Sequence, residues 1–259
     1  MTTSPGPVGG TPVKKWIERS LAGGCVVFLV LLIVAGVGLV TVVGNVLWST
    51  GNTTEKNRTA AEAALHDLID RAGLESAGAL RASAANDPAT LTALIGKHTE
   101  APVITYDAAH KKFTAVVEKA TYYQRLNMLG GGPDRIAACG IFTYTLGPDR
   151  TWRVDVTTRE TTACLPSREV SHLANGAREV LEGLEDDLTT VTQAQRALDR
   201  TRPLGRLTVR KVTHDKRTTT ISALLTDTAQ TVDQCYLLTL PRLGSQVPSP
   251  VTVTPAISC

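Results

Sequence analysis

The feature that most constrains this chain is a long apolar segment near its N-terminus. From Leu21 to Val43 the only side chain polar enough to resist hydrocarbon is Thr41, and the apolar character continues to residue 48. A helix needs about 20 apolar residues to cross a bilayer at ~1.5 Å rise per residue. Within lipid every backbone group must be hydrogen-bonded inside the segment, so an isolated run of this length can only be a helix. The sequence therefore predicts one transmembrane helix over residues 21–48.

The charges around this segment predict its orientation. Three basic residues precede it, Lys14, Lys15 and Arg19, whereas the other flank is uncharged up to residue 54. Basic flanks stay in the cytoplasm, so the N-terminus should lie inside and the C-terminal region outside. Residues 1–20 begin with a Pro-, Gly- and Thr-rich stretch and are predicted to be a disordered cytoplasmic tail. A cleaved secretory signal is the alternative, but signal cores are usually about 7–15 residues long, so we favour an uncleaved signal-anchor.

Cysteine usage is consistent with this topology. Cys25 lies within the apolar segment and is interpreted as a small apolar residue of the helix. The other four cysteines all lie beyond the segment: Cys139, Cys164, Cys235 and Cys259. An even number in an exported region predicts two disulfide bonds, and four buried free thiols are the alternative.

Apolar periodicity predicts three helices outside the membrane. After a polar linker at 49–54, the first helix carries an apolar stripe that comprises Ala61, Leu65, Leu68, Ile69 and Ala72. Asp87 and Pro88 combine a capping residue with a first-turn proline and predict the start of a second, short helix. From 168 to 200 the same spacing returns and predicts one long helix, for which we favour packing on a sheet over a coiled coil.

Alternating apolar and polar residues predict strands between and after these helices. In the first half, strands are expected at 103–106 and 113–122, followed by a hairpin that turns at 147–150. In the second half the predicted strands are 206–212, 218–225, 235–240 and 250–254.

The two halves resemble each other, which predicts a duplicated module. Four short matches recur in the same order, and they include Cys139 with Cys235 and Cys164 with Cys259. Matches that keep their order indicate an internal repeat. The duplication places one cysteine pair at matching positions in each half, so the expected bonds are Cys139–Cys164 and Cys235–Cys259.

Together these elements predict an α+β fold. One transmembrane helix should be followed by two tandem extracytoplasmic modules, residues 55–166 and 167–259. In each module a helix should pack on a small antiparallel sheet, because each element needs a partner for its apolar face. Cystatin-like and nuclear transport factor-like folds are similar in their order of elements, a resemblance of fold that implies no function.

The sequence contains no catalytic or cofactor-binding signature, so no cofactor is expected. Gly-x-Ser-x-Gly and His-Glu-x-x-His are absent, and the three glycines at 130–132 lack the Lys-Ser/Thr of a phosphate-binding loop. His110 and His214 lie between predicted strands without further ligands, and we interpret them as exposed turn residues and not as metal ligands.

One basic cluster is a candidate interaction site, at the end of the predicted long helix and the start of the next strand. It comprises Arg196, Arg200, Arg202, Arg206, Arg210 and Lys211. Cations are favourable at the C-terminal end of a helix, which accounts for the first three residues. The functional alternative is a patch that faces anionic lipid headgroups or wall polymers. The net charge of the whole chain is only +3, so nucleic acid is not expected as a partner.

These features predict a membrane-anchored binding or scaffold protein of the cell envelope. Its partner would be another envelope protein or a second copy, in a secretion, transfer or division assembly. The Ala-, Arg-, Thr- and Val-rich composition is typical of a high-GC bacterium. Two alternatives are a ligand-sensing ectodomain that acts through a membrane partner, and an envelope enzyme whose catalytic groups converge only in the fold.

Overall fold

In the part of the chain that it describes, the structure, a computed structural model, combines four α-helices and a short 3-10 helix (Thr161–Cys164) with two four-stranded antiparallel sheets. It describes residues 13–126, 131–184, 187–199, 205–242 and 250–259. The helices are α1 (Val13–Ala82), α2 (Pro88–Thr99), α3 (Leu165–Glu182) and α4 (Val191–Leu198). The strands are β1 (Val103–Asp107), β2 (Lys112–Arg125), β3 (Gly132–Leu146), β4 (Trp152–Arg159), β5 (Arg206–His214), β6 (Thr218–Thr226), β7 (Asp233–Pro241) and β8 (Thr252–Ala256). All the predicted strands are therefore present in the α+β fold.

Helix α1 contains the predicted apolar segment. From Leu32 it is long and apolar enough to cross a membrane, with a mean hydropathy of 2.0 over its most apolar window, and none of that window is buried. Large apolar side chains in this part are widely exposed, for example 71% for Val40. The predicted linker at 49–54 is wrong, since these residues continue the helix and Thr53 Oγ1 donates back to the carbonyl of Ser49 (2.8 Å). A threonine hydroxyl inside a helix can donate in this way to the carbonyl four residues earlier.

The first sheet has the order β1-β2-β3-β4, and the later part of α1 packs on it together with α2. Asp87 caps α2 as predicted, accepting a hydrogen bond from the Thr90 amide (2.8 Å). The predicted inward stripe of α1 is buried except for Leu68, which is 41% exposed. Within this core the Tyr144 hydroxyl lies 2.6 Å from Ser76 Oγ, and burial raises the pKa of Tyr144 to about 12.

The second sheet has the order β5-β6-β7-β8, with α3 and α4 packed on it. The prediction of one long helix over 168–200 is wrong. Helix α3 ends at Gly183, and α4 begins after Thr190, whose hydroxyl accepts from the Gln193 amide while Gln193 reaches back to the Thr190 amide. The periodicity continues across the break because both helices bury their apolar residues in the same core, so packing on a sheet is the observed arrangement.

The two sheets belong to one compact unit, formed by the described residues of 59–123 and 134–259, and the described residues of 13–58 and 124–133 form a separate unit. Strand β1 joins the two cores: Val103 is buried in the second core and the next residue, Ile104, in the first. The amide of Ile104 donates to the side chain of Gln234 (2.8 Å), and the Tyr236 hydroxyl donates to the carbonyl of Pro102 (2.6 Å). Buried polar groups are costly to leave unpaired, so these bonds hold the halves in one arrangement.

Both cysteine pairs lie at disulfide distance, in the pairing that the sequence predicts. The sulfur atoms of Cys139 and Cys164 are 2.07 Å apart, and those of Cys235 and Cys259 are 2.02 Å apart. Each bond links the third strand of its sheet to a residue just beyond the fourth strand. The chain thus contains twice the same order of elements, two helices and four antiparallel strands, with a disulfide bond at the equivalent position. That this arrangement arose by duplication stays a prediction.

Candidate functional site

A groove crosses the face where the two halves meet. Its larger part, about 720 Å³, lies between α2, α3 and β8, and its smaller part, about 380 Å³, lies between α3 and strands β2 and β3. The two parts are adjacent, since Glu100, Pro102 and Ser171 line both of them, and we refer to them together as the junction groove. Concave surfaces of this size can take a peptide segment or a small ligand.

One face of α3 forms a long wall of the junction groove. Arg168, Ser171, Asn175 and Arg178 are spaced by three and four residues, so they lie in a row along the helix. The opposite stripe of α3, which includes Val170, Leu173 and Ala177, is buried in the second core. Packing of the apolar stripe on the sheet therefore turns the polar row toward the groove.

Basic side chains outnumber acidic ones in the groove. It is lined by five basic residues, Lys97, Lys119, Arg135, Arg168 and Arg178, and by two acidic residues, Glu100 and Glu118. Because carboxylates neutralise only part of this charge, the groove favours an acidic ligand or an acidic partner segment.

Glu118 organises the narrow end of the groove. Its side chain is only 8% exposed, and its two oxygens lie 2.5 Å from Arg135 Nη2 and 3.5 Å from Arg168 Nη1. A buried carboxylate requires such partners, and here it holds two arginines from distant parts of the chain side by side. At the middle of the groove Lys119 donates to Glu100 Oε2 (2.5 Å).

The described members of the predicted basic cluster lie elsewhere, on α4 and on β5, an edge strand of the second sheet. Arg196 is exposed on α4, and Arg206, Arg210 and Lys211 are exposed on β5. Arg200 and Arg202 lie outside the described residues. A break in the regular pairing of β5 between Val209 and Lys211 leaves two consecutive cations exposed. A role in contacting anionic lipid or wall polymer stays a prediction.

Helix α4 also covers part of the β5 edge. The Gln195 side chain donates to the Leu207 carbonyl (3.0 Å) and accepts from the Val209 amide (2.7 Å). A side-chain amide thus takes the place of a neighbouring strand at this edge, which blocks pairing with another chain there.

Both histidines are exposed: His110 lies in the turn between β1 and β2 as predicted, whereas His214 is the last residue of β5 and is paired with β6. His110 has an acidic neighbour that the sequence analysis missed: its Nδ1 lies 2.6 Å from Asp107 Oδ2, and this hydrogen bond lowers the pKa of Asp107. His214 Nδ1 lies 3.0 Å from Thr219 Oγ1. Within the described part of the chain, no group of three or more His, Cys, Asp or Glu residues could hold a metal ion.

The groove residues carry no sequence signal of their own. Glu118 lies 17 positions from Arg135 and 50 positions from Arg168 in the sequence, and the three residues belong to no motif. The one available signal is the helical spacing of the polar row on α3, which the sequence analysis did not single out. The topology determinants Lys14, Lys15 and Arg19 lie on α1, in a part whose side chains are outside the described set.

Comparison with known proteins adds a weak similarity to solved structures. No protein-family model matches the chain, and no curated protein matches it significantly. Among solved structures it is similar to one described as an Ntf2 like protein involved in plasmid conjugation, over 60% of this chain and 75% of that chain. The sequence identity is 9% and the TM-score is 0.15, a value that does not establish a shared fold or function.

Proposed function

We propose that this chain is a membrane-anchored protein of the cell envelope that binds another envelope protein through the junction groove. The groove itself is the observation that carries the proposal, because five basic and only two acidic side chains line its two adjacent parts. The occupant is a polypeptide segment rich in acidic side chains, which would complement these cations. Anchoring is supported by the exposed apolar part of α1, and an oxidising location by the two cysteine pairs at disulfide distance.

Crosslinking from the groove should capture this partner in intact cells. With a photo-reactive amino acid in place of Asn175, which is exposed in the middle of the α3 wall, we expect a covalent adduct with a different protein. The same amino acid in place of Thr192, exposed on α4 and outside the groove, serves as the matched control and should give no such adduct. The measurement is the mass of the adduct on a gel, followed by mass spectrometry of the captured partner.

Each other outcome of the crosslinking contradicts the groove as a site for a different protein. Equal adducts from both positions would mean non-specific proximity, and the lack of any adduct from Asn175 would leave the groove unoccupied. An adduct at twice the mass of the chain would identify a second copy as the occupant.

The proposed orientation predicts opposite results for reporters at the two ends. Alkaline phosphatase, which is active only outside the cytoplasm, should be active when fused after Cys259 and inactive when fused before Met1. Replacing Lys14, Lys15 and Arg19 together by Glu should lower the activity of the C-terminal fusion, because positive charge next to the anchor sets its orientation. The charge-conserving variant Lys14→Arg, Lys15→Arg, Arg19→Lys is the control. An active N-terminal fusion would refute the orientation.

A further inference from the structure

A second cavity lies away from the junction groove, at the hairpin tips of the first sheet. It has a volume of about 760 Å³ and is lined by the end of α1, the segment leading to α2, and the turns that join β1 to β2 and β3 to β4. We call it the hairpin-tip pocket. None of its lining residues belongs to the junction groove, so a ligand of this pocket is independent of the function proposed for the groove.

The inner wall of the hairpin-tip pocket is apolar and aromatic. It is formed by Leu80, Leu91, Tyr106, Leu146 and Trp152. Phe113 fixes the two aromatic rings from behind, with its ring centroid 4.5 Å from that of Tyr106 and 5.5 Å from that of Trp152. Trp152 is 8% exposed and Phe113 is fully buried, so the wall is held in place by the core. Such a preformed apolar surface favours an apolar ligand.

The rim of the pocket is basic. Arg81 comes from the last turn of α1, Lys111 from the first hairpin turn and Arg150 from the second, and no Asp or Glu lines the pocket. Within the described residues, none of these three cations forms an ion pair. An anion at the rim would therefore meet three cations without competition from a carboxylate in the wall.

Both hairpin turns carry their basic residue at a position with a left-handed backbone conformation. Lys111 has a φ of 47° and Arg150 a φ of 59°, values in the left-handed region that non-glycine residues rarely adopt. The first turn is closed by Asp107, which accepts from the amides of Ala109 and His110. In the second turn the Arg150 amide donates to the Gly147 carbonyl (3.0 Å). Both cations are thus carried on ordered turns that flank the same cavity.

We propose that the hairpin-tip pocket binds an anionic amphiphile. The apolar chain of the ligand lies on Tyr106, Leu146 and Trp152, and its phosphate or carboxylate group is held by Arg81, Lys111 and Arg150. The apolar wall and the basic rim are both required, because an inorganic anion gains nothing from the wall and a neutral alcohol gains little from the rim. An amphiphile that carries both groups satisfies both parts of the pocket.

Fluorescence of Trp152 provides the test. In a Trp16→Phe, Trp48→Phe background Trp152 is the only tryptophan of the chain, and the full-length protein is placed in phosphatidylcholine nanodiscs. Titration with octyl phosphate should change the fluorescence in a saturable way. Inorganic phosphate and octanol, each of which carries half of the ligand chemistry, should bind at least about tenfold more weakly.

Matched variants separate binding in the pocket from partition into lipid. Arg150→Gln should weaken octyl phosphate binding by about tenfold or more. Arg153→Gln removes an exposed arginine of the same hairpin that pairs with Asp149 and does not line the pocket, and it should leave binding unchanged. If an Arg150 variant fails to fold, a second pair of variants replaces it. Lys111→Gln, in the pocket lining, should weaken binding, and Lys112→Gln, outside the lining, is its control.

Three results would overturn the proposal. A non-saturable signal that is equal in all variants would mean partition into the lipid. Equal affinity for inorganic phosphate and octyl phosphate would mean a simple anion site, and unchanged binding in both Arg150→Gln and Lys111→Gln would mean that the rim does not hold the headgroup.

Discussion

Replacing Gly205 by alanine is expected to lower the free energy of unfolding by about 3 kcal/mol. Gly205 precedes β5 with a φ of +128°, a conformation that residues with a Cβ rarely adopt. An added Cβ would also lie 2.5 Å from the backbone carbonyl oxygen of Thr226 and 2.8 Å from Leu173 Cδ1. The oxygen belongs to the paired strand β6 and cannot move without loss of sheet register. Backbone strain and the clash therefore add, and urea unfolding of the full-length protein followed by circular dichroism measures the sum.

Gly183→Ala is the matched control for this substitution. Gly183 ends α3 with a φ of −91°, and the nearest atoms to an added Cβ are 3.7 Å away, an ordinary contact distance. Its expected effect is below about 1 kcal/mol, since alanine is compatible with both the backbone and the space. Equal destabilisation by the two substitutions would contradict the left-handed conformation and the close approach at Gly205.

Loss of either disulfide bond should also destabilise the folded part by about 3 kcal/mol, since each closes a loop of about 25 residues. The test compares the double variants Cys139→Ala, Cys164→Ala and Cys235→Ala, Cys259→Ala with the unsubstituted protein. Both should shift a single unfolding transition, because β1 contributes to both cores and Gln234 and Tyr236 bond across the junction. The measurement is the urea midpoint with and without reductant.

Cys25→Ala is the control for the disulfide variants, because Cys25 belongs to neither pair. It should keep both the urea midpoint and the sensitivity to reductant. Peptide mapping of the unreduced protein identifies the bonds directly. A linked Cys139–Cys235 peptide, or a midpoint that does not respond to reductant, would refute the observed pairing.

Local signals in the sequence were sufficient for much of the fold. Asp87 and Pro88 act within one helical turn, so the start of α2 could be read from two adjacent residues. The hairpin of β3 and β4 was equally accessible, because alternation and a turn sequence specify neighbouring strands. The cysteine pairs followed from matching positions, since each joins elements close in the chain. The break between α3 and α4 was missed because helices that pack on one sheet keep the same apolar spacing on both sides of a break.

The candidate sites depended almost entirely on tertiary structure. Arg135 and Arg168 lie 33 positions apart, and only the shared buried carboxylate of Glu118 reveals that they line the same groove. In the hairpin-tip pocket, Arg81 and Arg150 come from a helix end and a turn that the sequence gives no reason to connect. The predicted basic cluster, by contrast, was contiguous in sequence but spreads along α4 and a sheet edge.

The sequence by itself determined the apolar helix, the existence and type of most elements, and the cysteine pairing. These properties depend on the solvent preference of side chains, on the backbone propensity of each residue and on short connecting loops. All three are set by residues that lie close together in the chain. Tertiary structure alone decided that the two sheets form one unit, and where the two cavities lie. The single unit arises because β1 contributes to both cores. It also depends on individual buried hydrogen bonds, such as the one that the Ile104 amide donates to the side chain of Gln234, 130 positions away in the chain. No periodicity encodes such a contact, because it depends on how completed elements pack and on which polar groups remain to be satisfied when they do.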